Sequence, residues 1–134
     1  MANTTFTKVE LYGQNNDGDP RRYTVASGTA ISKGTLLAMT DARTAIAQST
    51  AGQALAGVAS MDKSATDLST SISAWTNGIF EARASGAHAA GVGWQSAVGG
   101  NNVSSATGAS GAFVGGWFME ESTDNELVNV RLRL

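Results

Sequence analysis

Residues 26–61 read ASGTAISKGTLLAMTDARTAIAQSTAGQALAGVASM. The stretch divides into three short apolar runs, at 35–39, 44–48 and 55–59, with a polar break at 40–43 and Gly52 ahead of the third run. Gly34 and Gly52 stand at the edges of runs, where turns use backbone angles that glycine reaches without strain. Small residues and glycines interrupt every window in which a 3.6-residue apolar stripe would have to form. The segment therefore predicts three β-strands and no helix.

The same pattern is then written again. Ala84-Ser85-Gly86 restates Ala26-Ser27-Gly28 after 58 positions, Gly91 restates Gly34 and Thr107 restates Thr50 after 57, and Gly115 restates Gly57 after 58. In the second copy residues 92–98 stand for the opening strand, 99–102 for the turn, 103–106 for the return strand and 113–118 for the third run. Both copies end on an alternating segment, 68–75 and 126–134. Two copies suit a paired domain, whereas a solenoid stacks three or more. The expectation is an all-β fold, a compact β-barrel or β-tulip-like domain whose related units, about 26–75 and 84–134, share one core.

Composition points the same way. Sixteen glycines against one proline, with 15% charged residues, favour short strands and tight turns in a chain of 134 residues. That length is one domain. A net charge of −2 leaves no electrostatic footprint for nucleic acid, and no apolar run approaches the roughly 20 residues of a spanning helix. With no cysteine there are no disulfides and no thiolate metal sites. The opening MANTTFTKVELYG lacks the apolar centre of a signal peptide, so synthesis in a cytoplasm is expected.

Ahead of the first unit, residues 1–12 alternate weakly and then run into GQNNDGDPRR, the most polar segment of the chain. These residues predict either an edge strand or an arm that becomes a strand only against a partner, followed by a polar hinge. The chain accordingly divides into an arm and hinge at 1–22 and a β-domain at 23–134. After the first unit, Leu68, Thr70, Ile72 and Ala74 share one face, Asn77-Gly78 is a hairpin-turn signal, and 79–83 is its returning strand. At the end, Val128, Val130, Leu132 and Leu134 face inward.

Groups with the makings of a catalytic site are few. His88 is the only histidine, and no serine lies in a nucleophile-elbow context. Asn15 to Asp19 cluster side-chain oxygens, but the calcium-loop spacing fails, with Gly13 and Thr24 where ligands would have to stand. Ser32-Lys33-Gly34-Thr35 lacks the glycine spacing and the helix of a phosphate loop. Glu120 and Glu121 are adjacent, so on a strand they point to opposite faces. No catalytic residue, cofactor or metal is expected. Trp75, Trp94 and Trp117 are the bulkiest side chains of a Gly/Ala-rich protein, and each is either core or a subunit-interface anchor.

The order of these pieces resembles the head decoration (cement) proteins of tailed phages, the lambda-like type and its longer relatives. The pieces are the arm Thr5-Phe6-Thr7, the Gly/Asn/Asp/Pro hinge, the run GTLLAMTD at 34–41, AGVA at 56–59 and SAWTNGIFEAR at 73–83. The likeness covers residues 4–84 in order and, more loosely, 128–132, and the chain departs from the short members by carrying 85–126 as a full second unit. The resemblance implies a β-rich homotrimer on the outer surface of the virion at local threefold positions, reinforcing the shell. It also implies an arm that pairs with strands of the major capsid protein, with Thr5, Phe6, Thr7, Val9, Leu11 and Tyr12 as its contact residues and Phe6 as the apolar anchor. Its partners would be the major capsid protein and itself, with no nucleic acid and no membrane. Two other classes compete: a ligand-binding β-domain such as a carbohydrate-binding module, and a small enzyme on a β-clip type fold.

Overall fold

The computed structural model of the protein describes residues 5–48, 52–97, 101–105 and 114–134. Within them the apolar runs become short strands: β1 (Thr7–Leu11), β2 (Arg21–Thr24), β3 (Leu36–Asp41), β4 (Thr44–Ala47), β5 (Leu55–Ala59) and β6 (Ser71–Trp75). Then follow β7 (Asn77–Ala84), β8 (Gly93–Ser96), β9 (Asn102–Ser105), β10 (Gly116–Phe118) and β11 (Leu127–Arg133). Helical structure among the described residues is one 3-10 turn, Gln14–Asn16.

The strands form two closed five-stranded barrels. The first runs β2-β4-β3-β5-β6 and back to β2. The second runs β7-β11-β10-β8-β9 and closes by a β7–β9 pairing, with β1 added outside on β7. Each pairing in one barrel has its counterpart in the other. β3 lies between β4 and β5 as β8 lies between β9 and β10, and β5-β6-β2 matches β10-β11-β7, all antiparallel. Both barrels close through a short parallel contact, Thr24 with Thr44 in one, and Arg83 with Asn102 and Ala84 with Val103 in the other. An isolated bridge repeats too, Ile31 with Lys63 and His88 with Ser122. Gly34 N donates to Ala59 O and Gly91 N to Phe118 O, both at 2.8 Å. The all-β, two-unit expectation is thereby met at the level of strand order.

The units differ in bulk. Tyr23, Leu37, Ala45, Ala59, Ile72 and Ala74 pack together in the first barrel, and the matching positions of the second carry Ala82, Trp94, Val103, Phe118, Val128 and Val130, so bulk moves from β2 in one barrel to β8 and β10 in the other. Trp94 in β8 thus stands where β3 has Leu37, since Gly57 pairs with Leu37 and Gly116 with Trp94. Leu36, Leu55 and Val58 of the first barrel join this second cluster, while the first barrel's interior is a cluster of its own, so the expected single shared core is two cores packed against each other. Leu36 N also donates to Asn101 Oδ1 at 2.8 Å, a polar tie between the barrels.

Several local expectations are corrected. Each unit begins one strand earlier than the repeat suggested, at Arg21 and at Asn77, because β2 and β7 are the staves that close the barrels. Residues 21 and 22 therefore belong to the body. Gly57 corresponds to Gly116, not Gly115, while Thr50 and Thr107 lie outside the described residues. Asn77-Gly78 is not a turn. Both residues lie inside β7, and β6 pairs with β2 and β5 instead. Gly78 is there because β1 passes so closely that a Cβ would stand 2.6 Å from Glu10 O, and Asn77 Nδ2 donates to Asp19 Oδ2 at 2.8 Å. Leu68 is 80% exposed with φ of +60°, ahead of β6 and not on its inner face. Val128, Val130 and Leu132 are buried as expected, but Leu134 is exposed.

Candidate functional site

β1 builds the most distinctive surface. Of the two readings for residues 5–12, the structure has the edge strand: β1 pairs antiparallel with β7, from Thr7 opposite Glu81 to Leu11 opposite Gly78. The register slips between Lys8 and Glu10, so Val9 is a bulge residue with no partner on β7, and it is 51% exposed. The opposite edge of β1 has no neighbouring strand among the described residues. A bulge on an outer strand is a recognised way of making an open edge less receptive to indiscriminate pairing.

Phe6 holds β1 in place. Its ring is buried at 3% exposure, with its centroid 5.9 Å from Trp94 and 6.4 Å from Phe80, and its N–H donates to Gly34 O at 2.8 Å. The expected anchor for a partner is thus committed to this chain's own core. Thr5, Leu11 and Tyr12 are half-buried, and Thr7 and Val9 are exposed. The polar segment behind β1 is tied down as well. Gly18 N donates to Tyr12 O, Gly18 O accepts from Thr76 N and Asn77 N, and Thr76 Oγ1 donates to Asp19 O at 2.7 Å.

The three tryptophans take three environments. Trp94 is core, with Nε1 donating to Arg131 O at 2.7 Å. Trp117 is 37% exposed, and the Arg131 guanidinium lies over its ring at 5.7 Å and over Tyr12 at 4.6 Å, a guanidinium between two aromatic rings. Burial lowers the pKa of Arg131, Tyr12 opposes that shift and Arg133 adds to it, while arginine stays charged at neutral pH. Met119, just past the end of β10, and Leu127, the first residue of β11, are exposed as well.

Trp75 is half-buried and forms the wall of a cleft between β1 and the first barrel, about 310 Å³ in volume, lined by Phe6, Thr7, Lys8, Lys33, Gly34 and Trp75. Lys8 Nζ stands 5.9 Å and Lys33 Nζ 5.7 Å from the indole centroid. Such contacts contribute about 0.5–1 kcal/mol each at exposed sites. Sequence reasoning missed this pair: the two lysines are 25 positions apart, and only the docking of β1 beside the turn before β3 brings them to one ring.

The remaining candidates are held in structural roles. His88 stacks on Phe118 with centroids 4.6 Å apart, and its Nε2 is 2.8 Å from Ser85 O. It lines a shallow hollow of about 280 Å³ with Ala87, Ala89, Glu121 and Ser122. Asp17 Oδ1 accepts from Asp19 N at 3.0 Å. Thr35 N donates to Ser32 O, closing a turn that leads into β3 where a phosphate loop would need a helix. Glu120 Oε1 accepts from Asn129 N at 3.0 Å. Among the described residues no three His, Cys, Asp or Glu side chains come together, and no helix is long and apolar enough to cross a membrane.

No protein-family model matches the chain, and no curated protein matches it.

Proposed function

We propose that this protein decorates the outer surface of a tailed-phage capsid as a homotrimer and reinforces the shell, attaching by strand addition to the outer edge of β1. The observation that carries this reading is that edge: a five-residue strand anchored to the body by Phe6, whose outer edge has no neighbouring strand among the described residues. An extended segment of the major capsid protein that joined it would gain backbone hydrogen bonds, with alternate side chains setting register. The order of sequence pieces resembling cement proteins supports the same class. In this form the arm is not a tether that folds on contact. It is an edge held ready, so less ordering entropy opposes attachment.

The outer face of β10 and β11, with Trp117, Met119 and Leu127 exposed, is the surface we assign to contacts between copies. A carbohydrate-binding module would need the faces of Tyr12 and Trp117 for sugar rings, and Arg131 already lies over both.

The test is sedimentation of the purified protein alone and with expanded, undecorated capsids of the major capsid protein from the same genome. Copelleting at saturation as trimers is expected. Protein that stays in the supernatant, or a monomer alone at micromolar concentration, contradicts the reading.

A further inference from the structure

The cleft beside β1 is chemically lopsided. Its apolar side is Phe6 and Trp75, while its rim carries two ammonium groups from separate elements, Lys8 in β1 and Lys33 in the turn before β3. The Lys33 backbone is fixed, since its N–H donates to Asp62 Oδ1 at 2.7 Å. Among the described residues neither the Lys8 nor the Lys33 ammonium lies within ion-pair distance of a carboxylate. Both ammoniums lie near the same indole, 5.9 Å and 5.7 Å from its centroid. An anion held at this rim is attracted by both.

We propose that this cleft receives a carboxylate side chain carried on an extended peptide segment, the same segment that adds to the outer edge of β1. The proposal rests on the strand-addition reading above and specifies its partner: an extended segment with an Asp or Glu at the position that passes Lys8. The size and polarity of the cleft favour that occupant. A carboxylate brings one charge on a short apolar stem, and the stem meets Trp75 while the charge meets the rim. A nucleic acid brings a run of phosphates to a chain whose net charge is −2, which the overall field disfavours. Thr7 and Lys8 belong both to the cleft and to β1, so a segment that adds to β1 passes the cleft.

The test uses blocked pentapeptides, acetyl-Thr-Val-Asp-Val-Thr-amide and its Asn counterpart, titrated into the full-length protein while the indole N–H resonance of Trp75 is followed. Sodium acetate and inorganic phosphate serve as separate probes. The acidic peptide should shift the resonance saturably, and more weakly as salt is added. The Asn peptide, and the acidic peptide on the K8Q/K33Q double variant, should each bind about tenfold more weakly, as expected for loss of a charge-assisted contact. Both lysines are exposed, so the variant retains its fold. Equal binding of the two peptides, no effect of the double variant, or a response to phosphate that the peptide does not exceed overturns the proposal. Capsid attachment by the K8Q/K33Q variant at undiminished affinity overturns it as well, and leaves strand addition itself standing.

Discussion

Gly57 and Gly116 occupy one position in two barrels. Each has a positive φ, +145° and +156°, and each lies so close under a carbonyl, Trp75 O and Arg131 O respectively, that a Cβ would penetrate the oxygen. Trp75 and Arg131 are themselves matched, as the partners of Val58 and Trp117. The repeat is therefore preserved at the level of a backbone device: a glycine that lets β5 approach β6, and β10 approach β11, at the same point.

Gly57→Ala and Gly116→Ala should each destabilise the protein by about 3 kcal/mol, the sum of an unfavourable φ and a forced separation of two strands. Urea unfolding midpoints measure this. A loss within 0.5 kcal/mol, the usual range for a surface change, would show that the two contacts are not built as described.

Phe6→Ala should cost about 3–5 kcal/mol, the range for removing a buried phenyl ring, because Phe6 contacts Phe80 and Trp94 inside the second core. Val9→Ala on the same strand should change stability by less than about 0.5 kcal/mol. If both are silent in thermal unfolding, residues 5–12 are a detached arm and not a strand of the body.

Val9→Pro separates attachment from folding. Val9 has no partner on β7, and proline is tolerated at bulges and edges while removing a donor from an incoming strand. The melting temperature should stay near that of the parent, while capsid occupancy at subsaturating protein falls. Unchanged occupancy with an unchanged melting temperature would move the contact away from β1.

Lys63 and Asp67 give the protein an acid-sensitive clamp. The buried Lys63 ammonium donates to Ser27 O and Thr29 O at 2.9 Å and to Ser64 O at 3.3 Å, and Asp67 lies 3.7 Å from it. The Asp67 carboxyl titrates below its ordinary value of 3.8, chiefly because Ser69 N–H donates to it; desolvation is the next largest influence and opposes the shift, while the Ser64 N–H and then Lys63 add to it. A carboxyl whose folded pKa is depressed stabilises above its unfolded pKa, and that contribution fades as pH falls through the folded value. Asp67→Asn should therefore cost stability at pH 7 and much less at pH 3, read as urea midpoints. An equal cost at both would remove the charge from the explanation. Lys63→Met, which strands three carbonyls, should cost about 2–4 kcal/mol at either pH.

What the sequence made legible was set by local chemistry. Gly34 and Gly91 mark the repeat because each closes the same turn onto the third run, by a 2.8 Å bond to Ala59 O or Phe118 O. The inward alternation of Val128, Val130 and Leu132 reads directly as a buried strand face. Closure of the barrels was not legible. It rests on β2 meeting β4, and β7 meeting β9, in parallel pairings of only one or two residues with no local signature. Asn77-Gly78 misled because a small residue that admits β1 looks the same in sequence as one that makes a turn. Phe6 was ambiguous for a related reason: alternation over 5–12 says that a strand forms, not whose sheet it joins. The Lys8–Trp75–Lys33 cleft needed that answer before it could be seen at all.

The open edge of β1 is the center of the proposed function, and amide hydrogen exchange on capsid-bound protein reads it directly. Mixed with expanded, undecorated capsids, the protein should show slowed exchange concentrated in residues 7–11, with little change in β3 or β4 of the first barrel. Binding without added protection in residues 7–11 would place the contact elsewhere on the body and contradict attachment by strand addition.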